Sequence, residues 1–213
     1  MNSQKTGARR IVLFVEGPSE HALAAFFHNW LDAQLPELQR VGIKPVAFPG
    51  VSEYLKSFPK KLENLLDTRG ANFVFGLLDL YGLRPEHVDL SHCATVDHKV
   101  AEARKVIHQK VPPRLKDRFC QHFAVHELEA WLLAYPERWP ADVRQQIETR
   151  SPEAVNFEEP PANFLRRILG RRYKKTVCAR NIFPNVDPRV AIGKCPYLRR
   201  LAEDMLEVAR RLQ

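Results

Sequence analysis

The chain has 213 residues, of which 45% are hydrophobic, 27% charged and 9% aromatic, and its mean hydropathy is −0.35. This length and composition predict one large domain, or one domain with an appendage, and exclude disordered, fibrous and collagen-like chains. Apolar runs are too short to cross a bilayer, and no secretory hydrophobic segment follows the first ten residues, so we expect a cytoplasmic protein.

Strand-like and helix-like segments alternate through the first 140 residues. Short apolar runs predict strands at 10–15, 41–48, 71–78 and 119–125. Helical spacing of apolar residues predicts helices at 20–35, 52–68, 98–110 and 127–135, with Ser19 as an N-cap and a kink or break at Pro59. This order predicts an α/β fold with a mostly parallel four-stranded sheet flanked by helices, and the run 71–78 as a central strand.

The last third of the chain is basic and rich in proline. Residues 164–213 contain 13 basic and 4 acidic residues, whereas the first 163 contain 20 and 21. We expect an α/β domain at 1–150 and a basic, mainly helical extension at 151–213 that packs on it and closes with a helix at 199–212. A dense basic run predicts contact with the backbone of a nucleic acid, although a solvated helix face is the alternative. It consists of Arg166, Arg167, Arg171, Arg172, Lys174 and Lys175.

Acidic residues follow three of the four predicted strands. Glu16 follows the first, Asp79 the third, and Glu127 and Glu129 the fourth, while Glu20 begins the first helix. Ligands of open parallel sheets bind at the carboxyl edge of the strands, and clustered carboxylates favour Mg²⁺. Taken singly, Asp79 could cap a turn and Glu20 could be a partner of the helix dipole. Glu127 could be an ordinary first-turn acid, with Glu129 beside it facing solvent.

Other chemistries have weaker support. His122 and His126, and the group His92, Cys93 and His98, could suggest zinc, but no H-E-x-x-H motif occurs. The four cysteines form no C-x-x-C pair, which excludes a zinc ribbon and favours reduced structural thiols. Motifs of the G-x-S-x-G and G-x-G-x-x-G types are also absent, so a serine hydrolase or a dinucleotide site is unsupported.

Three segments together resemble a known fold family. FVEGPSE (14–20), LLDLYGL (77–83) and HELEAWLLA (126–134) are similar to the Toprim fold shared by topoisomerases, DnaG-type primases and OLD-type nucleases. More narrowly, they resemble a Toprim-like group of small bacterial proteins often encoded beside an AAA or ABC-type ATPase in phage-defence and mobile loci. The similarity covers about residues 10–135, and YKK (173–175) and CPYL (195–198) echo the C-terminal half of that group.

The resemblance implies a role for each acid. Glu16 matches the Toprim glutamate, Asp79 the first acid of its aspartate pair, and Glu127 and Glu129 the later acids of the narrower group. Tyr81 stands where Toprim enzymes usually have a second aspartate, which leaves Glu127 or Glu129 as the candidate for that ligand.

These features together favour a nuclease that uses Mg²⁺ or Mn²⁺ to cleave DNA or RNA, with an ATPase as a further partner. Glu16, Glu20, Asp79, Glu127 and Glu129 are the expected metal ligands, and Lys174 or Lys175 is expected to neutralise charge in the transition state. Two alternatives remain open, namely a latent subunit that docks on an ATPase and a nucleic-acid binder without chemistry.

Overall fold

The computed structural model of the chain describes residues 9–147, 152–153 and 159–212, apart from the side chains of Pro18, Ser19 and Leu38. Four strands form one sheet, with β1 at Arg10–Val15, β2 at Gly42–Ala47, β3 at Phe73–Asp79 and β4 at Phe119–Ala124. All neighbouring strands pair in parallel in the order β2-β1-β3-β4. The prediction of an α/β fold with a parallel four-stranded sheet and a central third strand is therefore confirmed.

Nine α-helices lie in the described part of the chain. They are α1 (Leu23–Asp32), α2 (Val51–Asp67), α3 (Val96–Gln109), α4 (Glu127–Leu132), α5 (Ala141–Ile147), α6 (Pro161–Leu169), α7 (Lys175–Ile182), α8 (Pro188–Lys194) and α9 (Pro196–Arg211). Short 3₁₀ turns connect several of them, including Pro18–Ala22 before α1. No helix within the described ranges combines the length and apolar character that a membrane crossing requires.

The helices cover both faces of the sheet. On one face, α2 and α3 bury residues such as Tyr54, Phe58 and Ile107 against the sheet. On the other face, α1 and the helices from α4 onward share one buried cluster that includes Ile11 in β1 and Met205 in α9. The C-terminal helices therefore pack directly on the sheet.

Two local predictions need correction. Of the kink or break expected at Pro59, the break does not occur, because the apolar face of helix α2 packs on the sheet and burial of this face offsets the hydrogen bond that proline cannot donate. Ser19 is not an N-cap. The turn Pro18–Ala22 begins at Gly17, whose extended backbone leads into it, and α1 starts only at Leu23.

The strand order places the reversal of the sheet between β1 and β3. The chain leaves β1 toward β2 on one side and returns to β3 on the other side of β1. Crossover connections therefore diverge at the carboxyl ends of these two strands, which is where open parallel sheets bind their ligands. Glu16 directly follows β1, and Asp79 is the last residue of β3.

Candidate functional site

Glu16 and Asp79 meet at the carboxyl edge of the sheet. The Glu16 carboxylate and the Asp79 side chain both lie beside Gly82, and the backbone of Asp79 acts to lower the pKa of Glu16. The Asp79 side chain is 23% exposed, so it is only partly hydrated. Two acids separated by 63 positions in the sequence thus share one site because their strands are parallel neighbours.

Lys175 lies among the carboxylates of this edge. Its Nζ is 3.4 Å from Glu129 Oε2, 3.5 Å from Glu20 Oε1 and 3.8 Å from Asp79 Oδ2. Glu129 belongs to α4 and is fully buried, and Glu20 belongs to the 3₁₀ turn and is 7% exposed. We call Glu16, Glu20, Asp79, Glu129 and Lys175 the acidic cluster.

The pKa values in the acidic cluster show that its charges are not balanced. Burial raises the pKa of Asp79 to about 8, because the attraction of Lys175 only partly offsets it and the neighbouring glutamates add to it. Burial and the charge of Glu20 also raise the pKa of Glu16. For Lys175, burial works to lower the pKa, but Asp79, Glu129 and Glu20 outweigh it and raise the value. The single ammonium of Lys175 therefore attracts several carboxylates and does not neutralise all of them.

Two carboxylate oxygens are buried without a hydrogen-bond partner among the described residues. They are Glu16 Oε2 and Glu129 Oε2, the second of which faces the Lys175 ammonium. Buried carboxylate oxygens usually accept hydrogen bonds or bind metal, because leaving them unpartnered is costly. The acidic cluster thus offers one such oxygen on Glu16 and a second, on Glu129, that is held only by an ion pair, and both are hard ligands of the kind that Mg²⁺ and Mn²⁺ prefer.

Glu127 lies beside the acidic cluster and has a separate partner. Its Oε2 accepts a hydrogen bond of 3.0 Å from the backbone N–H of Ala162, in the first turn of α6. Its φ of 64° lies in the left-handed region, which is uncommon for a residue other than glycine. Burial raises its pKa. Glu127 therefore ties α6 to the edge of the sheet and leaves one oxygen for other contacts.

Tyr173 is a site residue that the sequence reasoning did not assign. Its hydroxyl donates a hydrogen bond to Glu129 Oε1, and burial together with Glu129 raises the pKa of the phenol. Tyr173 and Lys175 therefore hold the two oxygens of the same buried carboxylate. The YKK motif carries both residues, but adjacency in sequence gave no sign that the tyrosine contacts an acid.

The two candidate lysines have different surroundings. Lys175 is one-third exposed within the acidic cluster, whereas Lys174 is exposed to solvent. Tyr81, which the motif resemblance aligns with the second aspartate of Toprim enzymes, is 53% exposed and stacks on the ring of His126 at a centroid distance of 5.3 Å. This position brings no carboxylate to the cluster, and Glu129 approaches from α4 instead.

The basic run lies on α6 and the segment that follows it. Arg167 pairs with Glu159 at 2.9 Å, and Arg172 pairs with Asp142 at 3.3 Å. Among the described residues, Arg166 donates a hydrogen bond only to the neutral Asn163 side chain, and Arg171 is exposed. Two arginines of this run are thus partly neutralised by surface ion pairs, which are weak and leave their charge available to a phosphate.

The histidines weighed as zinc ligands in the sequence have separate surroundings in the structure. His122 lies in β4 and contacts Asp204 in α9, whereas His126 stacks on Tyr81. His92 and His98 have ring centroids 6.0 Å apart, and Cys93 is buried.

Comparisons with known proteins identify a family of unknown function. A family model described as "Domain of unknown function (DUF4276)" matches residues 15–206, so the chain belongs to this family. No curated protein matches the chain.

Two solved structures are similar to the chain at low identity. The C-terminal region of the Burkholderia pseudomallei OLD protein is 18% identical, with 93% of this chain and 98% of that one covered and a TM-score of 0.47. The C-terminal region of the Xanthomonas campestris pv. campestris OLD protein is 17% identical, with 95% and 96% covered and a TM-score of 0.49.

Proposed function

We propose that this member of the DUF4276 family is a nuclease that cleaves phosphodiester bonds of DNA or RNA with Mg²⁺ or Mn²⁺. One observation carries the proposal: acids from three separate segments converge with one lysine at the switch point of a parallel sheet. Such convergence is costly unless a cation balances it, and it occurs where this fold class binds ligands.

The donor set fits a hard divalent cation. Glu16, Asp79 and Glu129 would hold the ion through carboxylate oxygens, two of which lack hydrogen-bond partners among the described residues. Glu20 and Glu127 lie next to them and could complete the ligand set, directly or through water. Bound there, Mg²⁺ or Mn²⁺ supplies Lewis acidity toward a phosphate oxygen and activates water.

The residues around the ligands bind and orient a phosphate. The Lys175 ammonium is fixed by three carboxylates, so it can donate to a non-bridging phosphate oxygen with little loss of entropy. Tyr173 holds Glu129 in one orientation through its hydroxyl. The exposed Lys174 and the arginines of the basic run supply positive charge for the backbone on either side.

The cellular setting of the proposed nuclease follows from the motif resemblance. VEGPSE, D-x-Y-G and HELEAWLL resemble the motifs of small bacterial Toprim-like proteins that are often encoded beside an ATPase. We therefore place the protein in the cytoplasm as the effector of a phage-defence or mobile-element system with an AAA or ABC-type ATPase as its partner.

A latent, non-catalytic subunit is the second candidate function. Tyr81 supplies no carboxylate where Toprim enzymes have one, and Lys175 already balances part of the negative charge. On this reading, the fold docks on the ATPase and binds nucleic acid without cleaving it.

Cleavage assays separate the two candidates. Plasmid, single-stranded DNA and total RNA are incubated with the protein and Mg²⁺ or Mn²⁺, beside Glu16→Ala and the control Glu203→Ala, which alters an exposed acid of α9. We expect metal-dependent cleavage that Glu16→Ala reduces by at least about 100-fold and Glu203→Ala leaves unchanged. Binding without cleavage by the wild type would favour the latent subunit.

A further inference from the structure

A second group of metal-binding side chains lies between the edge strand and the last helix. Cys120 and His122 alternate along β4 and therefore project to the same face of the sheet, where Asp204 of α9 meets them. Cys120 Sγ is 3.4 Å from His122 Nε2 and 3.9 Å from Asp204 Oδ2, and His122 Nε2 is 2.9 Å from Asp204 Oδ2.

We propose that Cys120, His122 and Asp204 bind one Zn²⁺ ion that clasps α9 to β4. The three atoms form a triangle of the size that a tetrahedral ion requires. Zn–S, Zn–N and Zn–O bonds of about 2.3, 2.05 and 2.0 Å place neighbouring ligand atoms about 3.3–3.6 Å apart. Each observed separation is within about 0.5 Å of that range.

The ligand types and charges select a transition metal. Thiolate and imidazole favour Zn²⁺ and disfavour Mg²⁺, so this site and the acidic cluster prefer different ions. One thiolate and one carboxylate cancel the charge of Zn²⁺. Arg104 lies nearby, with its Nε donating to the Gln121 carbonyl at 2.9 Å, and its positive charge acts on all three groups. Because of this charge, a site whose ligands neutralise Zn²⁺ is favoured over one that adds positive charge.

The site is held rigidly on one side and is open on the other. His122 is 3% exposed and its ring packs on Phe75 at a centroid distance of 5.9 Å, so the orientation of the imidazole is fixed. The Asp204 side chain is 45% exposed, which gives an ion a path from solvent and leaves the fourth ligand position to water. A metal here would join residues 82 to 84 positions apart and close a long loop of chain.

Cobalt and zinc binding test the proposed Zn²⁺ site. The full chain is treated with EDTA, desalted and titrated with Co²⁺, whose charge-transfer band in the near ultraviolet reports a thiolate ligand. We expect the band in the wild type and in Cys178→Ser, a control at another half-buried cysteine, and its loss in Cys120→Ser. Asp204→Asn, at a partly exposed position that tolerates the change, should weaken binding by at least about tenfold.

Thermal stability provides the second readout. At one fixed Zn²⁺ concentration, the Tm of the apo wild type should rise by about 5 °C, and the Tm of Asp204→Asn should rise by clearly less. Absence of both the thiolate band and the Tm shift in the wild type would overturn the proposal. Persistence of the band in Cys120→Ser would overturn it as well, because the sulfur ligand would then lie elsewhere.

Discussion

The ammonium of Lys175 lies 3.8 Å from the carboxylate of Asp79, although 96 positions separate the two residues in the sequence. Asp79 ends the central strand β3, and Lys175 begins α7 in the basic C-terminal third. Their contact shows that the basic third of the chain completes the acidic edge of the sheet. The stability of the fold should therefore depend on both Lys175 and Asp79.

Replacement of Lys175 should destabilise the fold. Lys175→Met removes the cation that three carboxylates share, and we expect a loss of about 2–4 kcal/mol in the free energy of unfolding at pH 8, discounted for partial exposure. The loss should shrink toward pH 5, because Asp79, with its pKa of about 8, takes up a proton there. Urea unfolding of the metal-free protein measures both values. Lys174→Met, at the exposed neighbour, should change stability little, and equal losses for the two variants would be inconsistent with the cluster.

Neutralising Asp79 should have the opposite effect. Its pKa is raised to about 8 in the folded chain from 3.8, so the native state binds more protons than the unfolded state between these values. Asp79 therefore destabilises the fold increasingly as the pH rises from about 4 to 8. Asp79→Asn should stabilise the metal-free protein by about 1–2 kcal/mol at pH 8, with a smaller gain at pH 5. Thermal unfolding at both pH values checks this, and Asp117→Asn, an exposed acid, is the matched control.

Loss of the Tyr173 hydroxyl should also lower the free energy of unfolding. Tyr173→Phe leaves Glu129, which is fully buried, with one partner fewer, and we expect a cost of about 1–2 kcal/mol. Tyr197→Phe is a suitable control, because its hydroxyl bonds at 3.2 Å to Asp97, a carboxylate that is 66% exposed and can be rehydrated. In chemical denaturation, Tyr173→Phe should lose clearly more free energy of unfolding than Tyr197→Phe. The reverse order would show that Glu129 does not need this hydrogen bond.

The basic run should determine the salt dependence of nucleic-acid binding. Arg166 and Arg171 have no ion pair with a described carboxylate, so Arg166→Gln with Arg171→Gln should remove two phosphate contacts. The slope of log K against log salt should then fall by about 1.8 for duplex DNA. Fluorescence anisotropy without metal measures this slope. The control double variant, Arg40→Gln with Arg69→Gln, changes residues near the amino ends of β2 and β3 and should leave the slope unchanged. An unaltered slope in the Arg166→Gln, Arg171→Gln variant would exclude the basic run as the binding surface.

The sheet and two of its acids could be predicted from sequence because their signals are local. Continuous apolar runs indicate buried parallel strands, and residues that follow such strands share one edge. The convergence of Glu16 and Asp79 therefore needs only the strand bounds, which the sequence predicts without error for β1 and within two residues for β3.

The remaining contacts depend on tertiary packing. Lys174 and Lys175 are neighbours in sequence, yet their side chains leave the start of α7 in different directions, and only one enters the cluster. Tyr173 meets Glu129 only because α7 packs near α4. The meeting of Cys120 with Asp204 has no spacing signal at all, since it depends on where the last helix crosses β4.

Binding of Mn²⁺ to the metal-free protein tests the central claim most directly. Calorimetric titration of the wild type should show saturable binding, and Glu16→Gln and Asp79→Asn should each weaken it by at least about tenfold, while Glu203→Gln keeps the wild-type affinity. Equal affinities in all four proteins, or no binding by the wild type, would contradict a metal site among these carboxylates.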